Sequence, residues 1–307
     1  MKQALGLPLA LAALIIGFGV SSEYFFTSET FLSIANDIPT LLVMAVGMTF
    51  VLIIGGIDLS VGSVLALSGG VVAVALQAWH LPAPLAALMG LGCGLLCGLA
   101  TGAISVAWRI PSFIVSLGML EIARGSAYLV TGSRTQYVGG EIDGLSTPIA
   151  FGVSPAFLLA LVVVVIAQIV LTRAVFGREL IGIGTNEEAM RLAGVDPRPR
   201  KLAVFALMGL LAGLGALMQV SRFEAADPNA GVGLELQVIA AVVIGGTSLM
   251  GGRGSVFSTF LGVLIVAVLE AGLAQVGASD PAKRVITGAV IIIAVLLDVF
   301  RHRKAPR

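Results

Sequence analysis

The chain has 307 residues, of which 58% are hydrophobic and 11% charged, and its formal net charge is +1. Soluble domains carry about 25% charged residues, so this composition excludes an ordinary soluble globular protein. The near-zero net charge disfavours nucleic-acid binding, two cysteines are too few for a disulfide framework, and two histidines exclude a His-rich metal site. The composition is that of an integral membrane protein.

Long apolar stretches recur along the whole chain. A bilayer core takes about 20 apolar residues of α-helix, whereas transmembrane β-strands alternate in polarity over about ten residues. The unbroken runs therefore predict an all-α polytopic helix bundle of about ten spans, or of eight full spans with two partial or re-entrant segments. The ten candidate spans are 3–20, 34–54, 61–77, 83–107, 111–130, 154–172, 202–220, 236–250, 255–275 and 284–300.

Lysine and arginine residues are distributed unevenly between the two sides of this arrangement. With the N-terminus in the cytoplasm, thirteen of them fall on the cytoplasmic side and four outside. The positive-inside rule then predicts that both termini lie in the cytoplasm. Lys2 and the apolar stretch after it resemble a signal peptide, but no small-x-small site precedes Ser21, so we expect an uncleaved first helix.

The candidate span 83–107 carries glycine at every fourth position over part of its length. These glycines share one helix face, and small residues let helix backbones approach closely in lipid, where apolar burial no longer drives association. The stripe therefore predicts a tightly packed bundle and says nothing about a solute. Its members are Gly90, Gly94, Gly98 and Gly102.

Ionisable residues at membrane depth are costly, so they are the first candidates for a functional role. Glu121 and Arg124 lie three residues apart, and we expect a structural ion pair between them in preference to a relay. In the segment GGIDLSVGS, the Asp58 carboxylate is expected to cap a helix that begins near Ser60. The alternative is a discontinuous helix that lines a passage. Asp58, Ser60 and Glu121 are therefore the candidate residues of a translocation path.

The sequence contains no G-x-x-x-x-G-K-[ST] phosphate loop, no Ser/His/Asp arrangement and no metal-ligand cluster. We therefore expect a protein that is not an enzyme, that holds no cofactor or metal, and whose task is passage across the membrane.

The connection 173–201 is polar, holds ten charged residues and is predicted to be cytoplasmic. Thr185 and Glu188 have the spacing of a capping box, and Gly194 provides a left-handed residue that ends a helix. A helix of barely two turns is thus predicted over Asn186–Ala193. Because so short a helix is unstable alone, its apolar side chains must pack on the protein's own spans or enter a groove in a cytoplasmic partner.

Three segments carry a family resemblance. Glu188, Ala189 and Gly194 resemble the EAA-type loop of ABC-importer permeases, with Met190 where a second alanine often stands. The segments GGIDLSVGS, GTNEEAMRLAGV and AAVVIGGTSLMGGRGSV together resemble successive signatures of the ribose-type monosaccharide permeases, over about residues 30 to 300. The first and third also share a Gly-Gly pattern that is a weak sign of internal duplication.

The resemblance implies a permease of the bacterial inner membrane, with one transmembrane domain over residues 1–307 and a coupling loop at 173–201. It further implies cytoplasmic ATPase subunits that use the ATP, a periplasmic sugar-binding protein, and a second permease copy in a homodimer or heterodimer. We add Arg191 and Arg198 as ionic contacts to the ATPase. The predicted ATPase-coupling residues are Thr185, Asn186, Glu187, Glu188, Ala189, Met190, Arg191 and Gly194.

Other transport functions remain open at this stage. A permease of the same group for a branched-chain amino acid or a nucleoside has the same composition. An ion-coupled secondary transporter would use intramembrane acids, with Asp58 and Glu121 as its relay. The short capped helix and the scarcity of central charges disfavour that second class, and a membrane scaffold without transport is disfavoured further.

Overall fold

A computed structural model describes residues 6–279, 281–283, 285–290 and 292. Within these ranges the chain is mainly helical, with one short antiparallel pair of strands, β1 (Gln136–Tyr137) and β2 (Ala225–Ala226), and two 3-10 turns, Gly139–Leu145 and Ala150–Gly152. Most of the predicted span 284–300 lies outside the described residues. The helices are α1 (Gly6–Ser21), α2 (Ser28–Asp37), α3 (Pro39–Ile53), α4 (Val61–Gln77), α5 (Ala83–Trp108), α6 (Ser112–Thr131), α7 (Pro155–Arg173), α8 (Val175–Thr185), α9 (Glu187–Leu192), α10 (Pro197–Phe223), α11 (Leu234–Ile244) and α12 (Val256–Gln275).

Several of these helices are long and apolar enough to cross a membrane, which confirms the all-α, multi-pass architecture. Among the described residues there are five such helices, α5, α6, α7, α10 and α12, and the pair α2 and α3 makes a sixth if its 48° bend lies within one span. Helix α11 has 11 residues, which is about 16 Å of helix against a bilayer core of about 30 Å. The prediction of about ten spans is therefore not confirmed by helix length.

The bend between α2 and α3 follows from the sequence. Pro39 occupies the first position of α3, where its missing N–H costs no hydrogen bond, and Ile38 serves as the cap of both helices. Asp37, at the end of α2, forms an ion pair with Arg222 near the end of α10. The bent pair is thus attached to the far end of another long helix.

Glycine contacts hold α5 against α10 along the predicted stripe. A side chain on Gly98 would overlap the carbonyl oxygen of Phe205, and one on Gly94 would overlap the carbonyl oxygen of Gly209. Gly209 in turn allows no side chain against Gly94. Backbone-to-backbone packing of this kind is what small residues permit in lipid, so the prediction of a close bundle is confirmed.

Helix α3 lies at the centre of the bundle. Nearly all of its residues are buried, including Leu42 through Ile53, and Met208 and Phe205 of α10 lie in the same apolar core. A helix that is apolar all round and buried all round belongs inside a bundle. Helices α5, α6 and α7 instead carry rows of exposed leucine, isoleucine and valine, as expected of surfaces that face lipid or a partner.

Candidate functional site

The short polar helix α9 begins one residue later than the sequence predicts. Asn186, in an extended conformation, is its N-cap, and its Oδ1 accepts a hydrogen bond of 2.9 Å from the amide of Ala189. Thr185 is the last residue of α8, and its hydroxyl donates to the carbonyl of Ile181 at 2.8 Å. The predicted capping box of Thr185 and Glu188 is therefore wrong, because α8 continues far enough to use the threonine hydroxyl itself.

Gly194 terminates α9, as predicted. The last helical residue is Leu192, one position before the predicted Ala193. Gly194 has a φ of 84°, in the left-handed region that favours glycine. The amide of Val195 then donates to the carbonyl of Met190 at 3.0 Å, a closing bond typical of a Schellman turn. The backbone thus leaves α9 through a fixed turn.

The apolar side of α9 is mostly bare. Met190 packs over Gly182 of α8, but Leu192 is 83% exposed, and Ala189 and Ala193 are exposed as well. Of the two alternatives left open by the sequence, packing on the protein's own helices is therefore realised only by Met190. The remaining apolar surface of α9 is available to another molecule.

Ion pairs fasten α8 and α9 to the start of α10. Glu187 accepts from Lys201 at 2.5 Å, and Arg200 donates to both carboxylate oxygens of Glu179, at 2.9 and 3.1 Å. The hydrogen bonds from Arg200 lower the pKa of the Glu179 carboxyl below its usual value. This two-point contact is the strong, directional form of a carboxylate–guanidinium pair, so α9 is held at a defined position on the bundle.

The basic residues near α9 line a cleft. Arg191 makes longer pairs of 3.5 Å with Glu187 and Glu188 on its own helix. Arg191, Arg198 and Lys201 then face a cleft of about 330 Å³, bounded on its other side by the α3 end and the α5–α6 connection. Arg191 and Arg198, the predicted ionic contacts to the ATPase, thus line this cleft at α9. Arg191 already forms ion pairs within α9.

A glycine junction joins three chain segments directly beside α9. The amide of Gly252 donates to the carbonyl of Ile53 at 2.8 Å, and a side chain on Gly184 would overlap that same carbonyl. Gly251, with a φ of 83°, lies against Gly55. The end of α3, the end of α8 and the α11–α12 loop therefore meet at this junction. The segments GGIDLSVGS and AAVVIGGTSLMGGRGSV thus contact each other through Gly55 and Gly251, a contact that the sequence did not predict.

Asp58 lies in the break between α3 and α4 and is buried. Its Oδ1 accepts from the amide of Ser60 at 2.9 Å and from the Ser60 hydroxyl at 2.6 Å, and Ser60 is the N-cap of α4. The hydroxyls of Ser112 and Ser116 on α6 accept hydrogen bonds from the backbone amides of the loop residues on either side of Asp58. Asp58 thus lies two residues before the N-cap and bonds to the cap residue Ser60, so its carboxylate is not itself the cap that the sequence predicted. The chain between α3 and α4 is also discontinuous, as the alternative prediction had it.

The predicted ion pair between Glu121 and Arg124 is wrong. Arg124 instead donates to the carbonyls of Pro228 and Ala230, at 2.5 and 2.8 Å. These loop carbonyls have no helical partner, so the long guanidinium side chain satisfies them in place of the carboxylate. Glu121 is exposed on α6. Among the described residues no hydrogen bond joins it to Asp58 or Ser60, so the three path candidates form one pair and one separate acid.

These features define a class of protein, namely a multi-pass helix bundle that presents at one end a capped polar helix whose apolar side is largely exposed. Residues 30–295 match the family described as "Branched-chain amino acid transport system / permease component", and the chain belongs to this permease family. It is therefore a membrane transport subunit of a family that is not an enzyme class.

Curated relatives resemble the chain over nearly its whole length. The ribose import permease protein RbsC of Escherichia coli (strain K12) is 36% identical over 94% of this chain and 92% of the relative. The L-arabinose ABC transporter permease protein AraH of Azospirillum brasilense is 31% identical over 97% and 88%. The D-allose transport system permease protein AlsC of Escherichia coli (strain K12) is 35% identical over 94% and 89%. No solved structure matches the chain.

Proposed function

We propose that the chain is the permease subunit of an ATP-binding-cassette importer that carries a monosaccharide. The relatives whose names mention ribose, L-arabinose and D-allose support the solute class, because each aligns over almost the whole chain. The family description mentions branched-chain amino acids, so an amino acid is the second candidate solute. The proposal treats residues 1–307 as one transmembrane domain with its coupling loop at 173–201.

The exposed apolar face of α9 carries this proposal. A two-turn helix gains little from its own hydrogen bonds, yet this one is capped, terminated and ion-paired while Leu192 stays bare. Such a helix is built to enter a groove in a partner. We assign that groove to a cytoplasmic ATPase subunit, which binds and hydrolyses the ATP, while this chain needs no cofactor of its own.

The coupling residues then divide by role. Asn186 and Gly194 set the ends of α9, whereas Thr185 and Met190 attach it to α8. Leu192 and Ala189 provide apolar contact. Glu187, Glu188 and Arg191 form the charged side that adjusts to the ATPase surface.

The proposed setting is the inner membrane of a bacterium, with about ten crossings and both termini in the cytoplasm. The excess of lysine and arginine on the α9 side supports this orientation. A periplasmic sugar-binding protein would deliver solute at the other end of α10. A membrane-impermeant thiol reagent tests the orientation, because Leu192→Cys in right-side-out vesicles should react only after the membrane is opened.

Glu121 supports a second permease copy. It is exposed near the middle of α6, a helix long enough to span the membrane, and Gly118 and Gly125 on the same face have open space before them. A bare carboxylate in hydrocarbon is costly, so this face of α6 belongs against a partner copy or a wet passage and not against lipid. We therefore keep Glu121 as a residue of the path, placed between two copies. The partner is an identical chain or a similar permease.

The decisive experiment reconstitutes the chain with its ATPase and binding protein in proteoliposomes. Uptake of labelled D-ribose, L-arabinose, D-allose and L-leucine is measured with and without ATP. ATP-dependent uptake of one of the sugars supports the proposal. Uptake of leucine alone would replace the solute class, and uptake driven by a pH gradient without the ATPase would overturn the mechanism.

A matched pair of variants tests the role of α9. A side chain at Gly194 meets no atom within 4 Å, so only its left-handed backbone opposes substitution. Gly194→Val should abolish co-purification of the ATPase while the chain still inserts. Gly194→Asn should retain it, since asparagine tolerates this conformation far better. Full uptake by the valine variant would contradict the coupling role.

A further inference from the structure

A cavity of about 370 Å³ lies at the end of α10 that is opposite to α9. Its walls come from α4, from the last two turns of α10, from the strand pair β1–β2 and from the loop after β2. This volume is in the range of pockets that hold small molecules. None of the predicted path residues Asp58, Ser60 and Glu121 lines it, so the cavity is separate from the sites discussed above.

Two aromatic rings border this cavity with much of their surface uncovered. Tyr137 is 78% exposed, and Phe223 is 60% exposed, with the guanidinium of Arg222 lying 5.3 Å from the centre of its ring. Bare aromatic faces carry partial negative charge. They therefore suit the C–H face of a sugar ring, which is weakly positive and apolar.

An amide with no partner lies on the same face of α10. Gln219 precedes Phe223 by four residues, which is one helical turn, and both line the cavity. The Gln219 Oε1 is buried and has no hydrogen-bond partner within the described chain. A buried polar atom of this kind calls for a partner supplied from outside the protein, and a hydroxyl can serve because it both donates and accepts.

A fixed carboxylate completes the wall. The Asp227 Oδ1 accepts from the backbone amide of Asn229 at 2.8 Å and from its side-chain nitrogen at 3.3 Å. The hydroxyl of Tyr128 donates to the amide oxygen of Asn229. Asp227 and Asn229 are thus held in place before any ligand arrives, and Oδ2 of Asp227 makes no hydrogen bond to the described residues. Such preorganisation lowers the entropy cost of binding.

The charge of the lining selects among ligands. Of the described residues that line the cavity, none is lysine or arginine, and Asp227 is the one acidic group. The Arg222 guanidinium lies over the ring of Phe223 and is not part of this lining, so no cationic side chain in the lining is available to a phosphate or an α-carboxylate. Neutral hydroxyl groups can instead donate to Asp227 and exchange hydrogen bonds with Gln219. The lining therefore fits an uncharged polyhydroxylated molecule.

We propose that this cavity is a solute-contact site within the permease, which selects between monosaccharides by hydrogen bonds to Gln219 and Asp227 and by stacking on Tyr137 and Phe223. The proposal rests on the monosaccharide-importer function above and adds a selective step in this chain. Selectivity of uptake is then the product of two recognition events, one in the binding protein and one here.

The test measures the ratio of D-ribose to D-allose uptake by the reconstituted complex, with each binding protein–sugar pair at a saturating concentration. Saturation removes the contribution of binding-protein affinity, so a changed ratio reports a contact in the permease. Gln219→Leu keeps the volume and deletes the amide, and it should change the ratio by about fivefold or more. Co-purification with the ATPase checks that the variant still folds and assembles.

Matched variants complete the test. Gln275→Leu removes a glutamine on α12 that bonds to Thr30, away from the cavity, and should leave the ratio as in the wild type. Tyr137→Ala should change the ratio, whereas Tyr24→Ala, which removes a similarly exposed tyrosine away from the cavity, should not. If Gln219→Leu does not assemble, the comparison of these two tyrosine variants tests the proposal. An unchanged ratio in Tyr137→Ala and Gln219→Leu overturns the cavity proposal alone. Uptake of neither sugar by the wild type overturns the proposed function and this inference with it.

Discussion

The amide of Gly252 donates a hydrogen bond of 2.8 Å to the carbonyl oxygen of Ile53, the last residue of α3. Gly184 lies two residues before Asn186, the N-cap of α9. It packs on the same carbonyl with no room for a side chain. The end of α8, which leads directly into α9, therefore contacts the end of the most buried helix through backbone atoms. Glycine is required here because only bare backbone comes this close.

Adding one carbon at Gly184 tests this junction. Gly184→Ala places a Cβ against the Ile53 carbonyl, which should lower stability by about 1–3 kcal/mol, as overpacking does. Gly92→Ala on α5 is the control, since its Cβ meets open space and should raise stability by about 0.4–1 kcal/mol. Thermal unfolding in detergent measures both. Effects of the same sign would show that the junction is not tight.

Removing the exposed leucine of α9 separates docking from folding. Leu192→Ala should change the unfolding free energy by no more than about 0.5 kcal/mol, because the side chain touches little of its own protein. It should weaken ATPase binding by about tenfold, the loss expected when buried apolar area is deleted from an interface.

The control for that variant is Leu96→Ala on α5. Leu96 is 67% exposed but lies on a long membrane-spanning helix, so ATPase affinity should remain unchanged. Affinity is measured by titrating purified ATPase onto the reconstituted permease. Equal affinity for the Leu192 variant and the wild type would exclude α9 as the apolar contact.

Sequence patterns predicted the parts of this structure that depend on local spacing. The Gly94–Gly98 stripe indicated close packing, and Gly194 indicated where α9 ends; both predictions are confirmed. Contacts between distant segments were beyond the same reasoning. Arg124 donates to carbonyls about a hundred positions away along the chain. The spacing between Arg124 and Glu121 carries no information on these carbonyls, which take the place of the Glu121 carboxylate.

The start of α9 shows the same limit at short range. Thr185 and Asn186 are both good capping residues, and spacing to Glu188 favoured the first. In the structure α8 continues through Thr185, whose hydroxyl bonds to the Ile181 carbonyl within α8, so the cap of α9 is Asn186. The cavity beside Gln219 was missed altogether, because its walls come from four separate segments; the one available signal was an amide four residues from Phe223 on an apolar helix.

Two substitutions of Asp58 distinguish support of α4 from proton relay. Asp58→Asn keeps an oxygen that can accept from the Ser60 amide and hydroxyl, so most ATP-driven uptake should persist. Asp58→Ala leaves these buried donors unpaired at about 1–3 kcal/mol each, and assembly should fall sharply. Loss of uptake in the asparagine variant with normal assembly would instead indicate that the ionisable group takes part in transport.

The ion pair between Glu179 and Arg200 predicts a pH-dependent stability. Its hydrogen bonds lower the pKa of Glu179 in the folded protein. The pair therefore stabilises fully above the unfolded pKa of glutamate, about 4.3, and its contribution is lost as pH falls through the lower folded value. Glu179→Gln should thus unfold at a lower temperature than the wild type at pH 7, and the difference should shrink as pH falls below 4.

The matched control for this ion pair is Glu188→Gln. Glu188 meets Arg191 at 3.5 Å on an exposed helix surface, and such pairs contribute little. The Glu188→Gln variant should unfold at the same temperature as the wild type at every pH. Added salt should not create a difference between the two. Thermal unfolding of the solubilised proteins between pH 7 and pH 3 measures all three curves. If Glu179→Gln and Glu188→Gln are indistinguishable at pH 7, then α8 is held on α10 by packing alone and the ion pair is incidental.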